Sequence, residues 1–420
     1  MKLRTVIFWM HLPAGVLAGA IILIMSVTGA LLAYEKQITA WADGYTVAPP
    51  PARAARLPLE TLLARVREAR PDANPSGLTL RADPTAPAVV QLGRESMLVL
   101  DPYTGAVLGE GSKKARAFFR SVTDWHRWLA TSTDSRAVGR GITGAGNLLF
   151  LFIVLSGLYL WWPDQWTRSV LRSIALFRFG LRGKARDFNW HNVIGFWSFL
   201  PLFFVVACAV PMSYPWANDL VYRLVGDEPP ARRAEGGEPA RRPRPDGEAR
   251  PERGSRPEGG PRAEGSSEAG KAVDLAGLDA LWARAEQQVP DWQSISLRIP
   301  SSSSAPWTFA IDTSRTGAIR PDKRSQLTLD RSTGAVVRFE PYSSQSPGRR
   351  VRSWMRFIHT GEAFGFVGQA IAGIASAGAA VLVWTGLALA FRRLLAWLAR
   401  RSRSRVTENV SLPEVSGGSS

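Results

Sequence analysis

The sequence predicts a membrane protein: an α-helical four-helix transmembrane bundle built from two parallel repeats, with two small α+β modules outside it. Three observations predict this. Four long stretches, roughly 6–34, 141–162, 191–216 and 367–391, are apolar and carry no Asp, Glu, Lys or Arg in their middles. Basic residues gather in three segments beside those stretches. The two long segments that follow the first and third stretches repeat the same order of helix-like and strand-like patterns.

Helix one covers 1–35. Its apolar core is longer than that of a signal peptide, so an uncleaved anchor is expected despite Lys2 and Arg4 ahead of it. Module one covers 36–137, with a helical pattern at 57–69, then Pro71-Asp72, and strand patterns at 77–81, 88–92 and 97–100. It ends in the turn Asp101-Pro-Tyr-Thr-Gly-Ala-Val107. Helix two covers 138–163 and a basic loop 164–187; helix three covers 188–216. A linker, 217–272, contains a run of Arg, Glu, Gly, Pro and Ser at 227–270. That run holds almost no large apolar residue and is expected to be a disordered insertion. Module two covers 273–362. A helical pattern at 275–288 is followed by Pro290-Asp291, strand patterns at 294–299, 307–311 and 327–329, and the turn Asp330-Arg-Ser-Thr-Gly-Ala-Val336. Helix four covers 363–392 and the tail 393–420. Each apolar stretch is long enough, at about 1.5 Å per residue, to cross about 30 Å of hydrocarbon.

Lys2 and Arg4, Arg168 through Arg186, and Arg392 through Arg405 share one side, expected to be the cytoplasm, which puts both termini there and both modules in the periplasm. They supply much of the +17 net charge, which therefore reads as a topology signal and not as a nucleic-acid footprint. The single cysteine, Cys208, lies inside helix three and cannot form an intrachain disulfide. No CxxCH occurs, so any haem is held by ligands and packing, as haem b.

The membrane parts repeat too. Val138-Gly-Arg-Gly-Ile-Thr-Gly144 matches Val367-Gly-Gln-Ala-Ile-Ala-Gly373, and Ser156-Gly-Leu matches Thr385-Gly-Leu. His11 with Gly15 in helix one matches His191 with Gly195 in helix three, although Cys208 falls where helix one has Thr28. Parallel copies imply a pseudo-twofold axis along the membrane normal.

The chain has only four histidines, His11, His126, His191 and His359, each at an entrance to an apolar stretch. Ligands from equivalent positions pair His11 with His191 about 10 Å inside the cytoplasmic face, and His126 with His359 at the outer face. Two such pairs suit two bis-histidine haems b and electron transfer across the bilayer. Glycine one turn after His11 and His191 would let a flat macrocycle approach. Arg120, Arg127, Arg352 and Arg356 are near the outer pair in sequence, and Lys184 and Arg186 near the inner; all could serve haem propionates. Two alternatives stay open: interfacial histidines with no ligand, and an outer pair that touches substrate instead of iron. Asp124 and Glu362 are candidate partners of the outer imidazoles. No phosphate-binding glycine loop, Ser-His-Asp set or cysteine metal site is found, and no flavin or nicotinamide domain is read after helix four.

Several motifs resemble the PepSY-associated transmembrane proteins, also called iron-regulated membrane proteins. They are Met10-His-Leu-Pro-Ala-Gly15, Ser26-Val-Thr-Gly-Ala30, Trp125-His-Arg-Trp-Leu129, Ser156-Gly-Leu-Tyr-Leu-Trp-Trp162, Trp190-His-Asn-Val-Ile-Gly195 and Ile358-His-Thr-Gly361. The Asp-x-x-Thr-Gly turns at Asp101 and Asp330 resemble the end of a PepSY module. The resemblance implies a bacterial inner-membrane protein with PepSY-like periplasmic modules. Some members of that family are ferric-siderophore reductases that carry two b haems and release iron in the periplasm, which sets the expectation for this chain. Other members join a similar membrane part to a flavoprotein reductase domain; none is read in this sequence, so the electron donor, cytoplasmic or a quinol, is left open. PepSY modules also occur as protease inhibitors, which gives the alternative: a non-redox, membrane-anchored protein that binds or regulates a peptide or protease.

Overall fold

The computed structural model describes residues 3–48, 54–72, 74–93, 96–230, 275–300, 305–315 and 320–410, the last eight through their backbone alone. Residues 231–270 of the expected insertion and 411–420 of the tail lie outside the described residues.

In chain order, α1 (Leu3–Leu32) turns into α2 (Glu35–Asp43), and α3 (Leu59–Ala69) leads to β1 (Gly77–Arg81), β2 (Ala88–Leu92), β3 (Ser96–Leu100) and β4 (Val107–Glu110). Then come α4 (Lys113–Trp128), α5 (Arg136–Trp161), α6 (Arg168–Ala175), α7 (Gly183–Ser213) and α8 (Pro215–Leu224). The second half continues with α9 (Leu278–Gln288), β5 (Ser294–Arg298), β6 (Trp307–Asp312), β7 (Arg324–Leu329), β8 (Val336–Glu340), α10 (Pro347–His359) and α11 (Gly365–Val410).

Among the described residues, four helices are long and apolar enough to cross a membrane, and α1, α5, α7 and α11 form their apolar cores. Each packs on two neighbours: α1 on α5 and α11, and α7 on α5 and α11. The four therefore stand at the corners of a square, with α1 and α7 on one diagonal. Small residues set the spacing. A Cβ on Gly378 would come within 2.9 Å of Ser198 Oγ and 3.1 Å of Ile194 Cγ2, so glycine leaves room for the side chains of α7 against α11. Pro13 in α1 and Pro201 and Pro211 in α7 sit inside helices, which neighbouring helices make tolerable in a membrane. The helix that follows His359 continues as α11 well past 392, into the expected tail.

The strands form one eight-stranded antiparallel sheet of order β4-β3-β2-β1-β5-β6-β7-β8. The two halves each contribute a four-strand meander, joined through β1 and β5 in the register Gly77↔Arg298 to Arg81↔Ser294. Period-two alternation explains the burial: Leu78, Leu80, Ile295, Leu297, Trp307, Phe309 and Ile311 turn to one face and are almost fully buried. That face is covered by α3 and α9, through Leu62, Leu63, Val66, Leu278, Leu281 and Trp282. Truncating one such residue to Ala would cost about 2–5 kcal/mol. The two covering helices are tied across the halves, since Asp279 Oδ1 accepts the Leu59 N–H at 2.5 Å, at the first turn of α3.

The sheet meets the bundle through two amphipathic helices. After β4 the chain enters α4, which buries Phe119 and Val122 and lies against α1 and α5. After β8 it enters α10, which buries Phe357 and lies against α7 and α8. His126 lies in the last turn of α4 and His359 is the last residue of α10, so both histidines sit where the sheet is joined to the membrane helices.

Candidate functional site

The site grows from the four histidines, all of them half-buried. The rings of His126 and His359 have their centres 6.4 Å apart, inclined at 47°. His11 on α1 and His191 on α7 lie across the square's diagonal and are electrostatic neighbours. The structure thus brings together the two pairs that the sequence suggests, at opposite ends of the bundle.

Each imidazole is gripped through Nδ1. His359 Nδ1 lies 2.8 Å from the Val205 carbonyl oxygen. A carbonyl can only accept, so this Nδ1 carries the proton and Nε2 keeps its lone pair. The other three meet hydroxyls: His126 meets Thr28 Oγ1 at 2.9 Å, His11 meets Ser156 Oγ at 2.8 Å, and His191 meets Thr385 Oγ1 at 3.0 Å. Those hydroxyls already donate backward along their own helices, Thr28 to the Ile24 carbonyl at 2.6 Å, Ser156 to Phe152 at 2.7 Å and Thr385 to Val381 at 2.9 Å. With its proton spent, each hydroxyl is left to accept from Nδ1–H. All four histidines therefore present a bare Nε2.

Glycine follows each of the three hydroxyl residues, and the reason is local. A Cβ on Gly29 would lie 3.3 Å from His126 Cε1, on Gly157 3.5 Å from His11 Cε1, and on Gly386 3.3 Å from His191 Cε1. The glycines let the imidazole edge rest on a bare helix. The fourth position departs from this pattern. Cys208-Ala209 stands in α7 where α1 has Thr28-Gly29, and there His359 reaches a carbonyl three residues before the cysteine.

Further contacts recur in both halves. A Cβ on Gly139 would meet the Trp128 carbonyl at 2.2 Å, and one on Gly368 the Gly361 carbonyl at 2.3 Å; each carbonyl is two residues past a histidine. These approaches clamp the start of α5 and of α11 against the turn that carries His126 or His359.

The other candidate residues fall as follows. A Cβ on Gly15 would meet nothing within 4 Å, and one on Gly195 only Leu382 Cδ2 at 3.8 Å, so the space beside both is open. Arg127 stacks over Trp128, its Cζ 4.8 Å from the ring centre, and Arg356 stacks over Phe357 at 5.5 Å. Arg352 donates to Asn218 Oδ1 at 3.1 Å, and Arg186 donates to Asp187 at 2.8 Å. Asp124 lies 4.0 Å from Arg136, and Glu362 is ion-paired with Lys36, so the partners found for the outer imidazoles are Thr28 and Val205 instead of these acids. The Ser-Gly and Thr-Gly dipeptides are visible in the sequence as marks of the repeat. Their role becomes visible only when a neighbouring helix brings an imidazole to them.

Chemically, an exposed Nε2 is a metal ligand. Among the described residues no group of three or more His, Cys, Asp or Glu is placed to hold a metal ion. Pairs of imidazoles instead suit an iron whose other four ligands come from a macrocycle. His126 and His359, with ring centres 6.4 Å apart, would hold such a group between them. The residues present fit such a group.

A four-helix membrane protein with a sheet joined to it at two histidine-bearing helices is the class that fold and site define. The chain belongs to the family described as the PepSY-associated TM region, which matches residues 8–393. No curated protein matches it.

Proposed function

We propose that this chain is an inner-membrane oxidoreductase that holds two haems b, one on His11 and His191 and the other on His126 and His359. Electrons enter at the cytoplasmic side, from a cytoplasmic reductant or a quinol, and leave to a periplasmic acceptor, a ferric siderophore, for reductive release of iron. The single observation that carries this reading is that all four imidazoles are fixed through Nδ1 with Nε2 bare. When bound, haem supplies a one-electron redox centre at each end of the bundle. The chain's own residues do the rest. Ser156, Thr28, Thr385 and the Val205 carbonyl orient the imidazoles, and Gly29, Gly157 and Gly386 let the rings approach. Arg127 and Arg356 give the outer site positive charge, which favours carboxylate groups and an anionic ferric chelate. Reduction of the chelate helps release because oxygen-rich chelators hold Fe(II) poorly.

The bundle and sheet are read as two copies of one unit, α1 to α5 and α7 to α11, about a pseudo-twofold axis along the membrane normal. Paired contacts such as Gly139 on Trp128 and Gly368 on Gly361 support this, and the meanders then correspond to two PepSY modules. Basic residues at both termini and in the loop 164–187 support cytoplasmic termini and a periplasmic sheet. The deciding experiment is a pyridine haemochrome assay on protein purified in detergent. Two haems per chain are expected. A colourless chain that binds no haem would overturn the proposal and leave partner binding by the sheet as the function.

A further inference from the structure

The four Nδ1 partners are not equivalent. Among the described residues, the partner found for His11 Nδ1 is Ser156 Oγ, at 2.8 Å. His126 and His191 have a hydroxyl and, beside it, a carbonyl three residues earlier on the same helix, Met25 for His126 and Leu382 for His191. His359 has the corresponding carbonyl, Val205, and no hydroxyl, because Cys208 replaces it. A hydroxyl thus holds three of the imidazoles and a carbonyl the fourth.

We propose that Ser156, Thr28 and Thr385 are positioning residues that hold His11, His126 and His191 in the Nδ1–H form with Nε2 directed to a metal, and that at His359 the Val205 carbonyl has taken over this task. The inference rests on the haem reading above and deepens it. An imidazole that loses its Nδ1 acceptor inside a membrane either buries an unpaired N–H or moves its proton to Nε2, where it blocks ligation. Loss of such a partner typically weakens metal affinity about 10–100-fold. The inventory of acceptors then ranks the four sites. Ser156→Ala removes the one Nδ1 partner found for His11 among the described residues and has the largest effect. Thr28→Val and Thr385→Val leave a carbonyl within reach and have smaller ones. Cys208→Ala removes nothing that His359 uses and has none.

The test is haem content per chain, with the electron paramagnetic resonance spectrum of the oxidised protein, for the wild type, S156A, T28V, T385V, C208A and the conservative S156T. Helical content by circular dichroism identifies any variant that has failed to fold. In folded S156A the haem held by His11 should fall to half or less of its wild-type content, and S156T should restore it. T28V and T385V should keep most of their haem with altered g values, and C208A should match the wild type. Wild-type haem content and spectrum in S156A would overturn the inference alone, as would a loss in C208A equal to that in S156A. A wild type without haem would overturn the functional reading and this inference with it. Should S156A fail to fold, histidine 15N shifts of reduced T28V and T385V decide: shifts matching the wild type would overturn the inference, and displaced Nδ1 signals would support it.

Discussion

Tyr34 fills the space that a side chain on Gly373 would need: a Cβ there would lie 2.7 Å from the tyrosine ring. Tyr214 does the same at Gly144, where a Cβ would lie 3.1 Å from the phenol oxygen. Tyr34 and Tyr214 each stand 23 residues after a histidine, His11 and His191 respectively. Each one tethers the end of a membrane helix to the opposite half. Gly373→Ala should therefore lower thermal stability in detergent by about 1–3 kcal/mol, as overpacking does, and Gly144→Ala by less. Thermal midpoints of both variants check this; a neutral Gly373→Ala would show that Tyr34 can move aside.

The histidines should act in pairs. His11→Ala and His191→Ala should each reduce haem content from two to about one and leave the same residual spectrum. His126→Ala and His359→Ala should share a different one. Four variants that all keep both haems would refute the ligand assignment, and optical spectra of reduced protein suffice to decide it.

Asp330 gives the sheet an acid-sensitive corner. Its carboxylate accepts from the hydroxyls of Ser332 and Thr333, at 2.7 and 2.9 Å, and from their backbone N–H groups, at 3.0 and 2.9 Å. The Ser332 hydroxyl first, then Thr333, hold its pKa down to about 2. The folded value lies below the unfolded one of about 3.9, so the stabilisation is complete above about pH 4 and is lost as pH falls toward 2. Asp330→Ala should lower the thermal midpoint at pH 7, and the gap to wild type should close between about pH 4 and 2.

Residues 231–270 should be removable without loss of haem or thermal stability, since the segment lacks apolar side chains to bury. The cut must spare Asp227, whose Oδ2 accepts the Gly348 N–H at 2.9 Å at the start of α10. Asp227→Ala should lower the thermal midpoint although the deletion does not.

Topology is open to a reporter fusion. Alkaline phosphatase fused after β4 should be active and the same enzyme fused at the C-terminus inactive, if the basic clusters set the proposed orientation with that end in the cytoplasm. Reversed activities would invert the whole orientation.

Much of this was legible because membrane constraints are coarse. Apolar length gave the four membrane helices, and spacing paired His11 with His191 and His126 with His359. What stayed hidden depends on contacts between segments far apart in sequence. Asp124 and Glu362 are close to the outer histidines along the chain, yet Thr28, 98 residues from His126, makes the contact. Likewise, strand patterns at 77–81 and 294–299 could not announce that β1 and β5 pair, because a strand's alternation fixes its buried face and not its neighbour. The amphipathic helices α4 and α10 lie inside the segments read as modules one and two, and their packing against the membrane helices is a contact that no sequence pattern states.

The β1–β5 seam has a mechanical consequence. Transporters built from two similar halves work by rocking one against the other around a central site. Here a five-residue ladder, the Asp279–Leu59 link and the shared α3–α9 layer weld the halves into one beam above the bundle. Rocking would have to shear that beam. The seam therefore ties together the sheet ends from which α4 and α10 lead to His126 and His359, a rigidity that the proposed relay would use.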